Sequence, residues 1–189
     1  ETPANLPSLT LAAGIGIAAA LQTIGVNDIG LKWPNDIVAQ DGKLGGILTE
    51  VQSRGGKGTT VVIGVGLNVD LPRAMHNEAP ARWTTKVTDL KDCVDALPSR
   101  EALTAGTLQC LFGSIVRFES DGFAAFQCAW RTYDWLKGKT VSCAQTTGHI
   151  TGIADGVDSD GALLVRTPDG TRRIVTGSVT VSNPATACA

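Results

Sequence analysis

Residues 29–69 read IGLKWPNDIVAQDGKLGGILTEVQSRGGKGTTVVIGVGLNV, and this stretch decides the fold. Three motifs stand in series: Lys32-Trp33-Pro34-Asn35-Asp36, Lys43-Leu44-Gly45-Gly46-Ile47-Leu48 and Gly64-Val65-Gly66-Leu67-Asn68. Each joins polar residues or glycines to an apolar run. Thr49-Glu50-Val51 extends the second run and Val61-Val62-Ile63 leads into the third, both β-prone. Asp41-Gly42 is a hairpin turn signal between Ile37-Val38 and Leu44–Leu48, and Gly55–Gly58 is a second, longer turn. The stretch therefore reads as adjacent antiparallel strands whose pairing gathers the polar motifs.

The residue types suit an anionic ligand. Lys32 and Lys43 supply cations that meet phosphate or carboxylate as mobile point charges. Gly45, Gly46, Gly64 and Gly66 remove side chains where a ligand can lie on the backbone. Asn35 and Asn68 offer donor and acceptor together, as a purine edge requires. Asp36 can accept hydrogen bonds or face a metal carried by phosphates. Pro34 fixes the backbone and biases Trp33 to an extended conformation. Any one motif alone is more often a bulge glycine and a solvated lysine; three in this order within about forty residues reverse that preference.

With these motifs the chain resembles the biotin–protein ligases. KWPND, KLGGIL with its trailing Thr49-Glu50, and GVGLNV follow that family's order and spacing. The resemblance continues, more weakly, through Gly122-Phe123, Trp130 and Gly161-Ala162-Leu163-Leu164-Val165. It implies an α+β fold: a class II synthetase-like ligase core with a mixed sheet and flanking helices over residues 1–136, then a small SH3-like β-barrel over 137–183 and a tail over 184–189. It implies biotin, ATP and Mg²⁺ as ligands, with no metal bound by the protein alone. The reaction implied is formation of biotinyl-5′-AMP and biotin transfer to a lysine of a carboxylase's biotin carboxyl carrier domain. By resemblance Lys43 and Lys32 are catalytic, Lys43, Gly45 and Gly46 bind biotin, and Asn35, Asp36, Gly64, Gly66 and Asn68 bind ATP. A lipoate–protein ligase and a non-catalytic scaffold are the alternatives.

One departure from the family is large. Its glycine- and arginine-rich loop of GRGRxGR type, which precedes this region and closes over the adenylate, has no counterpart in residues 1–189. Arg54, Arg73 and Arg82 lie outside the motifs, and the chain opens with Glu1, its only Met being Met75. These features are expected of a fragment or a processed chain, inactive by itself.

Composition limits the remaining choices. The chain has 189 residues and a net charge of −2 with no basic stripe, so nucleic-acid binding is not expected. Hydrophobic residues at 43% argue against disorder. Five cysteines, Cys93, Cys110, Cys128, Cys143 and Cys188, lack a CxxC pair, which favours free thiols in a reducing cytoplasm. His76 and His149 read as ordinary surface or turn histidines. A membrane span and a signal peptide are not expected, and a homodimer is left open.

The flanking segments read simply. Glu1–Pro7 is a lead, Ser8 is an N-cap, and an Ala-rich helix runs to about Ile24 before Gly25, with Gly14 and Gly16 letting it sit close on a sheet. Asn77–Arg82 reads as loop and 88–97 as one short helix stopped by Pro98. Ser99 caps a helix whose stripe is Leu103, Leu108, Leu111, Ile115 and Phe118, broken at Asp121-Gly122. A shorter helix carries Phe123, Phe126, Trp130 and Tyr133 as core. Strands follow at 141–144, 150–153, 162–166, 171–175 and 179–181, with turns at Asp160-Gly161 and Asp169-Gly170.

Overall fold

The computed structural model describes residues 6–53, 59–77, 86–145 and 148–182. The Gly55–Gly58 turn, most of the 77–82 loop and the tail at 184–189 lie outside the described residues. Helix α1 (Leu6–Thr23) begins before Ser8, with Pro7 in its first turn, where a missing N–H costs nothing. Ser8 is a buried helical residue, not the cap. Leu11, Ala12, Ile17, Ala18 and Leu21 are all at most 2% exposed, so α1 is enclosed on several sides and forms the centre of the molecule. Gly14 packs on the sheet, where a Cβ would lie 3.4 Å from Leu31 and Ile47, whereas a Cβ at Gly16 would meet Ser114 Oγ and sit 2.9 Å from Cys110 O.

Strands β1 (Ile29–Lys32), β2 (Asp36–Ala39), β3 (Gly42–Ser53) and β4 (Thr59–Leu67) pair antiparallel in that order. Strand β5 (Lys86–Val87) lies parallel to Gly42–Lys43, so the sheet is mixed. The β2–β3 turn falls one residue earlier than its sequence signal. Ala39 pairs with Gly42, leaving Gln40 and Asp41 as a two-residue loop with φ of 49° and 56°, the left-handed pair that a twisted hairpin favours. At Gly45 a Cβ would stand against the Gly66 carbonyl oxygen of β4, so that position admits no side chain.

The polar excursion after β4 contains a single turn of helix, α2 (Leu90–Cys93), much shorter than the expected 88–97. Asp89 caps it and anchors the excursion. Its buried carboxylate accepts the Leu71 N–H at 2.7 Å and the Asp92 N–H at 3.1 Å, and lies 3.2 Å from His76 Nε2. His76 is therefore not a bystander: its Nδ1 faces Asp92 at 3.3 Å, and Asp92 also accepts from Arg73 at 2.9 Å.

Helix α3 (Arg100–Asp121) starts at Ser99, whose hydroxyl accepts the Ala102 N–H, and stops at Gly122 with φ of 64°. Its inward stripe passes through Leu103, Thr107, Leu111 and Phe118, while Leu108 is 58% exposed. The expected stripe was wrong at that position. A short 3-10 turn and α4 (Gln127–Tyr133) then bury Phe123, Phe126 and Trp130.

The C-terminal strands are β6 (Thr140–Gln145), β7 (Gly148–Val157), β8 (Leu163–Thr167), β9 (Gly170–Ile174) and β10 (Ser178–Val181). They form an antiparallel sheet in the order β10-β6-β7-β8-β9, the last strand returning beside the first as in an SH3-like module. Among the described residues no β9–β10 pairing closes this sheet into a barrel. The β8–β9 loop is Pro168-Asp169, since Thr167 pairs with Gly170. Asp158 holds the β7–β8 connection by accepting the Asp160 and Ala162 N–H groups, a longer turn than Asp160-Gly161 alone. This sheet is fused to the first by a continuous core, and the buried Trp33 indole N–H donates to Gly161 O at 2.9 Å. Cys93, Cys110, Cys128 and Cys143 are free thiols, and no described helix is long and apolar enough to cross a membrane.

Two stability predictions follow from this packing. Gly45→Ala forces a methyl group against backbone that cannot step aside, and should cost about 1–3 kcal/mol in urea unfolding. Asp89 is the pH-dependent case. Burial favours its neutral form, but the two N–H donors and His76 outweigh burial and hold the carboxyl below the ordinary carboxylate range. Its contribution is therefore complete at neutral pH and is lost as pH falls through the lowered value. Asp89→Asn should destabilise the protein by about 1–3 kcal/mol at pH 7, and the gap between variant and parent should narrow as pH falls below about 4.

Candidate active site

The registers bring parts of all three motifs into one cross-strand row. Lys32 pairs with Asp36, Asp36 with Gly46, and Gly46 with Gly66. Directly paired residues share a sheet face, so these four share one. In the adjacent rank Leu48 pairs with Gly64 on the same face.

Lys43 reaches that face through a bulge. In an unbroken strand, positions 43 and 46 would point to opposite sides. Here Ile37 pairs with Gly45 while Val38 pairs with Lys43, so Leu44 is the extra residue. Lys43 thereby points the same way as Gly46, and a Cβ built on Gly46 would lie 3.6 Å from Lys43 Cε. Leu44 itself is turned inward and fully buried.

The charges form a compact group. Asp36 stands between two ammonium groups, with Oδ1 2.5 Å from Lys43 Nζ and Oδ2 3.9 Å from Lys32 Nζ. Asp36 and Lys32 are buried, whereas the Lys43 side chain is 31% exposed. Burial pushes the Lys32 ammonium below the ordinary lysine range; Asp36 opposes that shift and Lys43 adds to it. Among the described residues the group holds two cations and one carboxylate, and Lys43 is its more exposed cation.

Beside this head the floor is backbone. A Cβ on Gly64 or Gly66 would meet nothing nearer than 3.8 Å, and Gly46 leaves similar room. Leu48, 59% exposed, adds an apolar surface beside the glycines. The arrangement suits a ligand with an anionic end and a flat, largely apolar body. Leu48 was not singled out by sequence, because its apolar residue type in a strand signals core.

The remaining motif residues hold the frame. Asn35 Nδ2 donates to Ile47 O at 2.9 Å, and the Ile47 N–H returns a bond to Asn35 O at 2.8 Å. Asn68 Nδ2 donates to Lys43 O at 3.1 Å and Thr88 O at 3.0 Å. The two amides thus clip β3 on either side of its glycines, and their donor sides are engaged within the protein. Gly45 faces away from the glycine floor, toward Leu67. The Trp33–Pro34 peptide within the first motif is cis.

Two other features lie apart from this face. A cavity of about 570 Å³ lies between α3 and the opposite face of β4. Among the described residues His76, Asp89 and Asp92 could offer a metal one donor atom each, within 4.8 Å of one another. The N–H donors on Asp89 and Arg73 on Asp92 already answer those carboxylates.

Comparison with known proteins identifies the family. Residues 2–68 match the biotin/lipoate A/B protein ligase family and residues 138–181 match the biotin protein ligase C-terminal domain. The bifunctional ligase/repressor BirA of Escherichia coli is 32% identical over 165 residues, covering 87% of this chain and 50% of the relative. The biotin–[acetyl-CoA-carboxylase] ligase of Mycobacterium tuberculosis is 32% identical over 161 residues, covering 83% of this chain and 56% of the relative. The chain thus spans about half the length of these relatives. The biotin protein ligase of Aquifex aeolicus superposes with a TM-score of 0.80 at 26% identity, over 94% of this chain and 76% of that one; it has also been solved in complex with biotin and ATP. With the ligase core and the C-terminal domain matched in order over more than half of its length, the chain belongs to the biotin protein ligase family.

Proposed function

We propose that this chain provides the catalytic floor and the C-terminal module of an ATP-dependent biotin–protein ligase. The two units are residues 1–136 and 137–183. The observation that supports this most is the Lys43–Asp36–Lys32 group beside an open glycine floor. Biotin has the matching form: a carboxylate on an apolar chain that ends in a flat bicyclic ring. The C-terminal match to a biotin ligase domain favours biotin over lipoate.

In the reaction, the biotin carboxylate attacks the α-phosphate of ATP, releasing pyrophosphate and forming biotinyl-5′-AMP. The ε-amine of a carrier-domain lysine then attacks the mixed anhydride. Lys43 holds the biotin carboxylate and then the acyl-phosphate oxygens, and Lys32 supports the phosphates from its buried position. The protein's work is positioning and fixed positive charge. Gly46 borders biotin, and Gly64 and Gly66 lie under the ligand. Asn35 and Asn68 act by fixing β3, and the backbone near Asn68 is where adenine would lie. Mg²⁺ arrives with the triphosphate: each Asp36 oxygen already faces a lysine, which leaves little for a resident ion. The partner is the biotin carboxyl carrier domain of a carboxylase, and the compartment is the cytoplasm.

Residues 1–189 contain no GRGRxGR-like stretch, and a closing loop is what shields a reactive anhydride from water. Purified residues 1–189 should therefore transfer no biotin to a carrier domain, and calorimetry should find weak or undetectable biotin binding. Robust transfer would overturn this. When the chain is joined to the upstream ligase segment of the Aquifex aeolicus enzyme, Lys43→Ala should lower pyrophosphate release by about 100- to 1,000-fold, as for loss of one charge-assisted transition-state contact. Near-normal release would remove Lys43 from its role.

Gly46→Val tests the floor. Its Cβ would have no neighbour closer than 3.6 Å, so the joined chain should keep its thermal midpoint while biotin affinity falls at least tenfold. Lost stability with retained affinity would mean that Gly46 serves the backbone.

A further inference from the structure

The first motif is tied to a distant part of the chain. Lys32 and Asp36 are partners across the β1–β2 hairpin, so Trp33, Pro34 and Asn35 form the loop between two charges of the site. Trp33 is 1% exposed and belongs to the core. Its indole N–H donates to Gly161 O at 2.9 Å, across 128 positions of sequence. A buried indole N–H needs an acceptor, and this one lies in the β7–β8 connection of the C-terminal sheet.

The acceptor is itself held in place. Gly161 has φ of 79°, and a Cβ there would stand 2.8 Å from Ser8 Cβ, so helix α1 packs tightly against it. Asp158 secures the turn. The Gly161 N–H donates to Asp158 O at 3.1 Å, the Asp158 N–H donates to Ala162 O at 3.0 Å, and the Asp158 carboxylate accepts the Asp160 and Ala162 N–H groups at 2.9 Å. Arg173 of β9 closes the turn by pairing with Asp158 and Asp160. Strand β1 receives a second bond from the same part of the chain: the Trp135 N–H, just ahead of the C-terminal sheet, donates to Leu31 O at 3.0 Å.

Lys32 and Asp36 are 6% and 9% exposed, and the Lys32 ammonium feels both Asp36 and Lys43. Charges this deeply placed stay where the loop between them puts them. We propose that Trp33 is a positioning residue: its hydrogen bond to Gly161 lets the β7–β8 turn set where Lys32 and Asp36 stand. Any shift of the loop would leave the Gly161 carbonyl and the indole N–H unpaired in the core, which resists the shift. The proposal rests on the function proposed above, since Lys32 and Asp36 belong to that site.

The test reads Lys32 in residues 1–189 by carbon NMR titration of its Cε, and needs neither biotin nor ATP. In the parent, burial holds the ammonium below the ordinary lysine range. Trp33→Phe keeps an apolar ring and removes the N–H. The loop then loosens, water reaches Lys32, and the titration midpoint should rise by about 0.5 pH or more. Asp158→Ala releases the same turn from the C-terminal side and should raise the midpoint likewise. The double variant should rise no further than the larger single shift, because both changes act through one route. Val179→Ala is the control. It opens a cavity in β10, whose partner is β6, and should lower the thermal midpoint without moving Lys32. An unmoved Lys32 in folded Trp33→Phe or in Asp158→Ala would reduce Trp33 to a packing residue and overturn the proposal. So would an equal shift in Val179→Ala, or additive shifts in the double variant. If Trp33→Phe does not fold, Asp158→Ala against Val179→Ala decides. These titrations and the pyrophosphate release of Lys43→Ala are separate readouts: the first can fail with the ligase function standing, and the second can fail with the Trp33 tie intact.

Discussion

The site depends on one extra residue in β3. Without the bulge at Leu44, Lys43 would point to the opposite side of the sheet from Gly46, into the apolar layer beneath α1. With it, Lys43 lies 2.5 Å from Asp36 and beside the glycine floor. The energetic arrangement is consistent: Leu44 takes the buried position fully, and the lysine keeps part of its side chain in water. A buried ammonium without a counter-charge would cost several kcal/mol, which is the reason Asp36 sits between the two lysines.

The two faces of the same sheet serve different needs. Ile47, Leu31 and Ile37 are buried toward α1, and that packing fixes the strands in register. The opposite face carries glycines, exposed Leu48 and the Lys43–Asp36–Lys32 group. Asn35 and Asn68 connect the two roles. Each spends its amide donor on a carbonyl of β3 or its neighbour, so the polar residues that look most like ligand readers in sequence first act as braces. Buried backbone carbonyls that would otherwise lack partners make such braces worthwhile.

Much of this was legible in the chain. The order of motifs implied paired strands, and the strands occur; Ser99 and Gly122 bound α3; Phe123, Phe126 and Trp130 are core. The misses share a cause. Asp41-Gly42 signalled a turn, but the strands closed around Gln40-Asp41, because tertiary pairing sets the register and two non-glycine residues accepted positive φ. Leu108 was assigned inward by residue type, whereas helix phase gave that place to Thr107. Gly45 and Gly46 look equivalent in KLGGIL, yet one faces the Gly66 carbonyl and the other the open face beside Lys43. Strand register decides which glycine does which, and the bulge that turns Lys43 to the side of Gly46 cannot be read from local sequence. His76 looked ordinary because its partners, Asp89 and Asp92, meet it only after the excursion folds back.

The asymmetry of the sheet sets the chemistry the chain can support by itself. Lys43 sits on an open face, where water screens its field and an ion pair with a bound anion contributes little. The same charge acts far more strongly once water is excluded. Adenylation needs that stronger field at phosphorus and also needs the anhydride kept dry. The described residues supply the floor, the cations and the braces, all on elements fixed by the core beneath them. Leu31, Ile37 and Ile47 hold that floor in place from the buried side, so the open side is free to be shaped by glycines instead of by packing.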